Sequence, residues 1–331
     1  MIEQFKQHIL KTGLVKKGEK LLLGVSGGPD SVCMLYFFTA IAKELRLNLT
    51  AVHFNHSLRD EADAEEEFVG ELCRAKGIRY SSEKKAVKDF FHGDSLEQTA
   101  RQLRYDFFLR CAREYKTKKI ALAHHKDDLA ETVLMRVIRG AGLKGLRAIL
   151  PKTKYKNLTV VRPLLVFGKA DIVNWLHTGN IAYCVDKSNF EEEFLRNRLR
   201  LSVMPMLREL NPAITDGLCN LAQAAGRDYD YIASQAKVLF KEALLKETHQ
   251  QVELKLEAMV HAHPALFNHL VLLAIEKVKG NTRSIENCHV DEINDMVYHR
   301  PLGSVVDIPS VVVRKIEHRL IFQKKSGPYA Y

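Results

Sequence analysis

Residues 20–45 read KLLLGVSGGPDSVCMLYFFTAIAKEL, and the fold depends on how this stretch divides. Leu21 to Val25 is a short apolar run with Gly and Ser at its end, the pattern of a buried strand. Beyond it Val32, Leu35, Tyr36 and Thr39 fall on one face of a helix. Ser26-Gly27-Gly28-Pro29-Asp30-Ser31 joins the two. A strand that turns through glycine into a helix start makes an anion site. The first helix amides have no partner in the chain, and the macrodipole puts positive charge there. Gly27 and Gly28 let backbone come close to an anion, while Ser26 and Ser31 add hydroxyl donors. The string is neither G-x-x-x-x-G-K-[ST], whose lysine reaches the outer phosphates, nor G-x-G-x-x-G. It carries an acid instead. Beside a polyphosphate, Asp30 suits holding Mg²⁺ or positioning a reacting group. The plainer alternative is a tight strand-to-helix turn with Asp30 early in the helix.

Outward from this stretch, strands and helices alternate. Leu49 to Leu58 reads as a second strand, residues 60–76 as an acidic amphipathic helix ending at Gly77, and Ile78 to Glu83 as a third strand. Asp94-Ser95 with Gln98 has the form of a capped helix start, and that helix runs to about Tyr115. Lys119 to Ala123 is a fourth strand, followed by His124-His125-Lys126-Asp127-Asp128 and a helix through Arg139. Such alternation predicts an α/β domain on a parallel sheet with right-handed crossovers. Ligands then bind at the carboxyl ends of strands where strand order reverses. A reversal between the first and fourth strands would set Gly27–Ser31 opposite His124–Asp128. Residues 140–165 read as a basic loop ending in VVRPLL. A helix near 169–177, the string AYCVDKSN and one helix over FLRNRLRLSVMPMLRELNP follow. Asn211-Pro212 marks the expected boundary between a domain over 1–212 and a second part over 213–331. The second part reads as a long helix over 213–247 and a small α+β unit over 248–322, closed by a hairpin near VVVRKIEHRLIF.

Composition narrows the class. A chain of 331 residues with 46% hydrophobic content fits two cored domains. The longest apolar run, Val32 to Ala42, is broken by Thr39 and falls short of the about 18–20 residues that span a bilayer. The start, MIEQFKQHILKTG, lacks the apolar core and cleavage site of a signal peptide, so the expected location is the cytoplasm. Cys33, Cys73, Cys111, Cys184, Cys219 and Cys288 show no C-x-x-C spacing, which argues against a zinc or iron–sulfur site built from cysteine. The net charge is +10 and the pI about 9.2. Between Thr132 and Ala170 stand Arg136, Arg139, Lys144, Arg147, Lys152, Lys154, Lys156, Arg162 and Lys169, with no acid. That stretch suits a nucleic-acid phosphate backbone, with a solvated face as the alternative.

Three clusters carry chemistry. In ALAHHKDDLAETVLMRVIRGAGLKGL, His124, Asp128 and Glu131 stand at i, i+4 and i+7, which on a helix beginning there share one face. Two acids and an imidazole at a strand's carboxyl end could hold Mg²⁺, bind an amine or act as general base. Helix capping by Asp127 or Asp128 beside a surface histidine is the plainer reading. LEQTARQLRYDFF places Arg101 and Arg104 on one helix, and FLRNRLR groups Arg196, Arg198 and Arg200. Arginine forks suit phosphate or carboxylate, though each group could also be a solvated helix face.

Taken with these strings, the chain resembles the tRNA(Ile)-lysidine synthetase family, enzymes of the PP-loop ATP pyrophosphatase type. SGGPDS resembles the PP-loop signature. HFNHSLR, LEQTARQLRYDFF, HHKDDLAETVLMRVIRGAGLKGL, RPLL and DKSNFEEEFLRNRLR resemble, in order, the strings that mark the family. The likeness is close over about residues 18–212 and weaker beyond, where RPLGSVVDIP resembles the family's substrate domain. It implies an adenine nucleotide α hydrolase-like ATP domain followed by a small α+β tRNA substrate-specificity domain. Some members carry a further C-terminal domain, which is not expected here. The implied activity is ATP-dependent attachment of lysine to C2 of the wobble cytidine in the CAU anticodon of isoleucine tRNA. The base is first adenylated with release of pyrophosphate, and lysine then displaces AMP, changing codon reading from AUG to AUA. Expected ATP contacts are Ser26, Gly27, Gly28, Pro29, Asp30 and Ser31, with Mg²⁺ on Asp30. Asp30, His124, Asp128 and Glu131 are the expected catalytic set, and Arg104 and Arg196 the substrate contacts carried over from the family. Arg139, Lys144, Lys152, Lys154 and Lys156 are the expected tRNA contacts. Expected partners are tRNA(Ile) with a CAU anticodon and L-lysine, with no membrane; the oligomeric state stays open, a homodimer being one option. Alternatives are a PP-loop enzyme adenylating a tRNA base for thiolation, a PP-loop amide synthetase, and a non-catalytic RNA-binding protein on a nucleotide fold.

Overall fold

The computed structural model describes residues 1–57, 61–91, 95–185 and 191–325, with the backbone alone for 191–194. Leu58 and Arg59 of HFNHSLR, Asp94 of the helix start and the DKSN run at 186–189 lie outside the described residues. The chain divides into two compact units, Met1–Gln223 and Ala224–Tyr331.

In the first unit α1 (Ile2–Lys11) leads to β1 (Lys20–Gly24), α2 (Pro29–Leu45), β2 (Asn48–Asn55), α3 (Ala62–Ala75) and β3 (Arg79–Lys84). Then come α4 (Leu96–Glu114), β4 (Lys119–Ala121), α5 (Lys126–Ile138), a short α6 (Leu143–Leu146), β5 (Lys152–Tyr155), β6 (Leu158–Val161) and α7 (Lys169–Thr178). α8 (Glu191–Arg198) passes through a π-helical turn, Leu199–Val203, into α9 (Met204–Leu210). α10 (Ile214–Ala243) runs from the first unit into the second. The six strands form one sheet in the order β3-β2-β1-β4-β6-β5. β1 pairs in parallel with β2 and with β4, so strand order reverses between β1 and β4.

β1 shows why its apolar run is unbroken. Leu21, Leu23 and Val25 enter one core with Phe5, Phe37, Phe38 and Ile172, while Leu22 enters another with Val52, Tyr105, Phe108 and Ile120. A central strand covered on both faces needs apolar residues at every position. The same holds for α2, where Val32, Cys33, Met34, Leu35, Phe37, Phe38 and Ile41 are all buried, making it a core helix. Phe37 packs on Phe5, Phe167 and Trp175 with ring centroids 5.2, 5.9 and 4.8 Å away. Those contacts lock α1 and α7 against α2.

Residues 140–165 are not a loop. They hold α6 and the β5–β6 hairpin, which turns at Lys156 and Asn157 with Lys156 at φ +50°. β6 joins β4 in parallel and β5 joins β6 antiparallel, so the parallel sheet ends in one antiparallel edge. Lys152 and Lys154 are exposed and alternate with half-buried Thr153 and Tyr155. Edge strands carry lysine to deter further pairing, and this makes β5 look like a loop in sequence. The helix expected over 213–247 also ends early, at Ala243.

In the second unit β7 (Leu244–Glu247), β8 (Gln251–Lys255), α11 (Leu256–Val260), α12 (Pro264–Lys279) and α13 (Asn287–His299) precede β9 (Val305–Ile308), β10 (Val311–Ile316) and β11 (Arg319–Lys324). The strands form an antiparallel sheet in the order β7-β8-β11-β10-β9. Its core holds Val252, Phe267, Ile293, Met296, Val313 and Phe322. Buried Lys315 donates from Nζ to the carbonyls of Met296, Val297 and Arg300, closing the C-terminal end of α13. Among the described residues no helix is long and apolar enough to cross a membrane.

Candidate active site

The turn after β1 is held by its own serines. Ser31 Oγ donates to the Gly28 carbonyl at 2.9 Å, accepts from the Ser26 amide at 3.1 Å and lies 3.2 Å from Ser26 Oγ. Gly27 sits at φ +95°, a backbone conformation that L side chains rarely adopt, so the turn favours glycine there. Its carbonyl accepts from the Cys184 amide at 2.9 Å. Gly28 is the N-cap of α2, Pro29 opens the helix, and Asp30 stands in its first turn. Buried His53 donates from Nδ1 to the Val25 carbonyl at 2.9 Å and fixes the end of the strand; burial pushes its pKa down.

Across the switch point, α5 begins at Lys126, later than the sequence suggests. His125 is its N-cap: Nδ1 accepts from the Asp128 amide at 3.3 Å, and Asp128 Oδ2 accepts from the His125 amide at 2.9 Å. His124 therefore precedes the helix and does not share a helical face with Asp128 and Glu131. A helix cannot start before its cap, and His125 takes that place. With Nδ1 accepting, a neutral His125 carries its proton on Nε2. That atom lies 3.4 Å from Asp128 Oδ2 and 3.8 Å from Asp30 Oδ1. The buried His125 ring thus stands between the phosphate turn and α5.

The acids are already occupied by cations. Lys169 Nζ donates to both oxygens of Asp30 at 2.8 and 2.7 Å. Arg196 donates from Nη2 to Asp128 Oδ1 at 2.6 Å and from Nε to Glu131 Oε2 at 2.8 Å. Arg200 donates from Nε and Nη2 to the two oxygens of Glu131 at 2.7 and 2.9 Å. Glu131 is only 3% exposed, and both of its oxygens are paired with arginine. The Asp30 and Lys169 side chains are 25% and 39% exposed, and a pair so open to water contributes about 0–1 kcal/mol. It is therefore an exchangeable contact. Asp127 serves structure instead, accepting from the Lys169 amide at 2.7 Å and from Arg208 Nη2 at 2.8 Å.

His124 lies outside the helix but within reach of the charges of Asp128 and Arg196. Burial is the main reason its pKa falls to about 4; Arg162, Arg104 and Arg196 push the same way, and Asp128 opposes them. Its Nδ1 and the Nε of Arg104 are buried without a hydrogen-bond partner. Arg139, Lys144, Lys152, Lys154 and Lys156 are all exposed. Lys156 approaches Asp106 at 3.6 Å.

Of the residues singled out in sequence, Asp30, Asp128, Glu131 and Arg196 thus fall on one chain of contacts, and Ser26–Ser31 forms the turn beside it. His124 precedes the helix but feels the charges of both Asp128 and Arg196, and that of Arg104 as well. Sequence reading passes over His125, Lys169 and the separate role of Arg200. His125 is hidden by its neighbour in HHKDD, and Lys169 by the basic run around it. Arg196 and Arg200 stand four apart, which could have separated them from Arg198. Among the described residues no group of three or more His, Cys, Asp or Glu side chains could hold a metal by themselves.

The PP-loop domain family matches residues 1–207. The chain is 35% identical to the tRNA(Ile)-lysidine synthase of Dehalococcoides mccartyi (strain CBDB1) over 96% of its length and 69% of the relative's. It is 31% identical to the tRNA(Ile)-lysidine synthase of Clostridioides difficile (strain 630), covering 91% of this chain and 65% of that one. Among solved structures it is similar to the U34-tRNA thiolase NcsA of Methanococcus maripaludis, with TM-score 0.56 and 20% identity over 67% of this chain and 78% of that one, a likeness of fold.

The low pKa of His124 gives a testable pH dependence. An unfolded histidine takes up its proton near pH 6.5, whereas folded His124 does so at about 4. The unfolded state thus binds more protons in between. The contribution to stability is complete above about pH 6.5 and is lost as the pH falls towards 4. His124→Gln should flatten the slope of unfolding free energy against pH in this window, measured by urea denaturation. An unchanged slope would contradict a buried neutral His124.

Proposed function

The chain belongs to the tRNA(Ile)-lysidine synthase family of PP-loop enzymes, and we propose that its site joins L-lysine to C2 of the wobble cytidine of a CAU tRNA in two steps. The feature that supports this reading best is the meeting of the phosphate turn with the Asp128–Glu131 acids at the β1/β4 switch point, across the ring of His125.

In the first step the amides of Gly27 to Ser31 and the two serine hydroxyls hold the β and γ phosphates of ATP at the start of α2. The α-phosphorus is left open. The C2 oxygen of the cytidine attacks it, the bond to the β-phosphate oxygen breaks, and pyrophosphate leaves. Mg²⁺ usually binds through one or two carboxylates together with substrate phosphates, so a single carboxylate at Asp30 fits it. When bound there it would neutralise charge on the departing pyrophosphate. The cytidine must leave its stack to reach the site, at a cost of about a few kcal/mol.

In the second step the lysine amine attacks C2 and AMP departs. An amine with a free pKa of about 10.4 must be held as ammonium and then give up a proton. Asp128 and Glu131 are the acids for that task, which requires lysine to take over positions that Arg196 and Arg200 occupy in the free protein. Arg104, with its buried unpartnered Nε beside neutral His124, is suited to an anionic part of the substrate. The exposed Arg139, Lys144, Lys152, Lys154 and Lys156 serve the phosphate backbone of the tRNA.

The reading is tested by incubating the protein with radiolabelled lysine, ATP and tRNA carrying a CAU anticodon. Label should enter acid-precipitable tRNA only with ATP, and not when the wobble cytidine is replaced. Label in the replaced tRNA would refute the assigned base, and no label at all would refute the reaction. Separately, charge reversal at Lys152 and Lys154 should weaken tRNA binding. Its salt dependence should fall by roughly 0.7–0.9 log units of slope for each phosphate that the protein no longer neutralises. Affinity for ATP should stay unchanged. An unaltered slope would mean that these lysines only keep the edge of the sheet soluble.

A further inference from the structure

The phosphate turn has no lysine of its own, yet one reaches it from another element. Lys169 is the first residue of α7, after β6, the strand beyond β4 in the sheet. We propose that Lys169 is the cation that binds the β and γ phosphates of ATP and that Asp30 holds it ready until nucleotide arrives. This rests on the ATP site proposed above and adds the residue that distinguishes the pyrophosphate end from the adenylate end.

Three features carry the assignment. The side chain ends at the turn, with Nζ bonded to both oxygens of Asp30 at 2.8 and 2.7 Å. Its backbone is fixed. The Lys169 amide is held by Asp127 Oδ2 at 2.7 Å, the neighbouring Phe167 carbonyl accepts from the Lys126 amide at 3.0 Å, and Phe167 and Trp175 pack α7 on α2. The side chain, by contrast, is 39% exposed and pairs with a carboxylate that is itself open to water, so a four-carbon stem can swing from a fixed base. Arg196 and Arg200, the other cations of the site, bind Asp128 and the buried Glu131. Of these three cations, Lys169 has the partner exposed enough to be released.

Charge accounting explains the arrangement. Without ligand, Asp30 and Lys169 cancel. A polyphosphate offers several anionic oxygens where there was one carboxylate, and the ammonium transfers to them. Asp30 is then freed as a metal ligand at the moment the metal arrives with its phosphates. Departure of pyrophosphate returns Lys169 to Asp30.

Isothermal titration of the full chain with ATP, pyrophosphate and AMP tests the assignment. Lys169→Met should weaken binding of ATP and pyrophosphate by roughly tenfold or more, the usual effect of removing a charged hydrogen-bond partner. AMP should bind as before, which also shows that the variant is folded. Lys169→Arg should recover part of the affinity. In metal-free buffer Asp30→Asn should bind pyrophosphate more tightly than the wild type, because the carboxylate that competes for Nζ is gone. A purely structural ion pair would give neither change. Wild-type pyrophosphate affinity in Lys169→Met, or weaker metal-free binding in Asp30→Asn, would overturn the proposal. Failure of the wild type to bind ATP or pyrophosphate would instead overturn the nucleotide site on which it rests.

Discussion

The site depends on accommodating three carboxylates close together at the carboxyl ends of β1 and β4. Asp30, Asp128 and Glu131 would repel one another, and Glu131 is almost wholly buried. Charge in such a place persists only when it is paired and hydrogen-bonded. The fold answers with cations from elements distant in sequence. α7 brings Lys169, α8 brings Arg196, and the π-helical turn after it brings Arg200. Positive and negative groups then alternate from the phosphate turn to the arginine-rich helix, with His125 between Asp30 and Asp128. Much of the architecture serves this chain. The aromatic packing of Phe37 on Phe167 and Trp175 holds α7 where Lys169 can reach Asp30.

This arrangement bears on the chemistry because the reactants carry the same charges as the resident groups. In the proposed reaction ATP would present phosphates where Asp30 holds an ammonium, and lysine an ammonium where Asp128 and Glu131 hold guanidinium groups. Binding therefore exchanges partners and does not create bare charge. The exposure of each pair ranks how readily the exchange occurs. The Asp30–Lys169 pair is open to water and weak, whereas Glu131 is gripped by two arginines in a buried place. On the proposed reaction, nucleotide entry would be the easier exchange and lysine entry the harder.

Much of this was legible in the sequence, for identifiable reasons. The unbroken Leu21-Leu22-Leu23 run reported a central strand, and Gly27 reported a turn that favours glycine. The parallel sheet followed from alternating strands and helices, whereas the place where strand order reverses is set by the fold. The β5–β6 hairpin was not legible, because lysines on an edge strand imitate a loop. The i, i+4, i+7 pattern of His124, Asp128 and Glu131 misplaced His124, since a cap one residue further on shifts where the helix begins. Lys169 and His125, already masked by like neighbours in sequence, were hidden for a further reason. Their contacts join residues 139 and 95 positions apart in the chain, and no local spacing encodes such a pairing. Arg196 stood out by family likeness and Arg200 only as one of a cluster. Which acids they bind is a property of the fold.

In the proposed reaction the turn grips the leaving end of ATP and leaves the α-phosphorus open, while Asp128 and Glu131 serve a later step. This order is tested most directly by supplying CAU tRNA and ATP labelled at the α-phosphate while withholding lysine. The expected result is transfer of label to the tRNA, with pyrophosphate released in an amount limited by the tRNA, followed by loss of that label as AMP when lysine is added. Formation of ADP and phosphate, or no labelled tRNA until lysine is present, would contradict it.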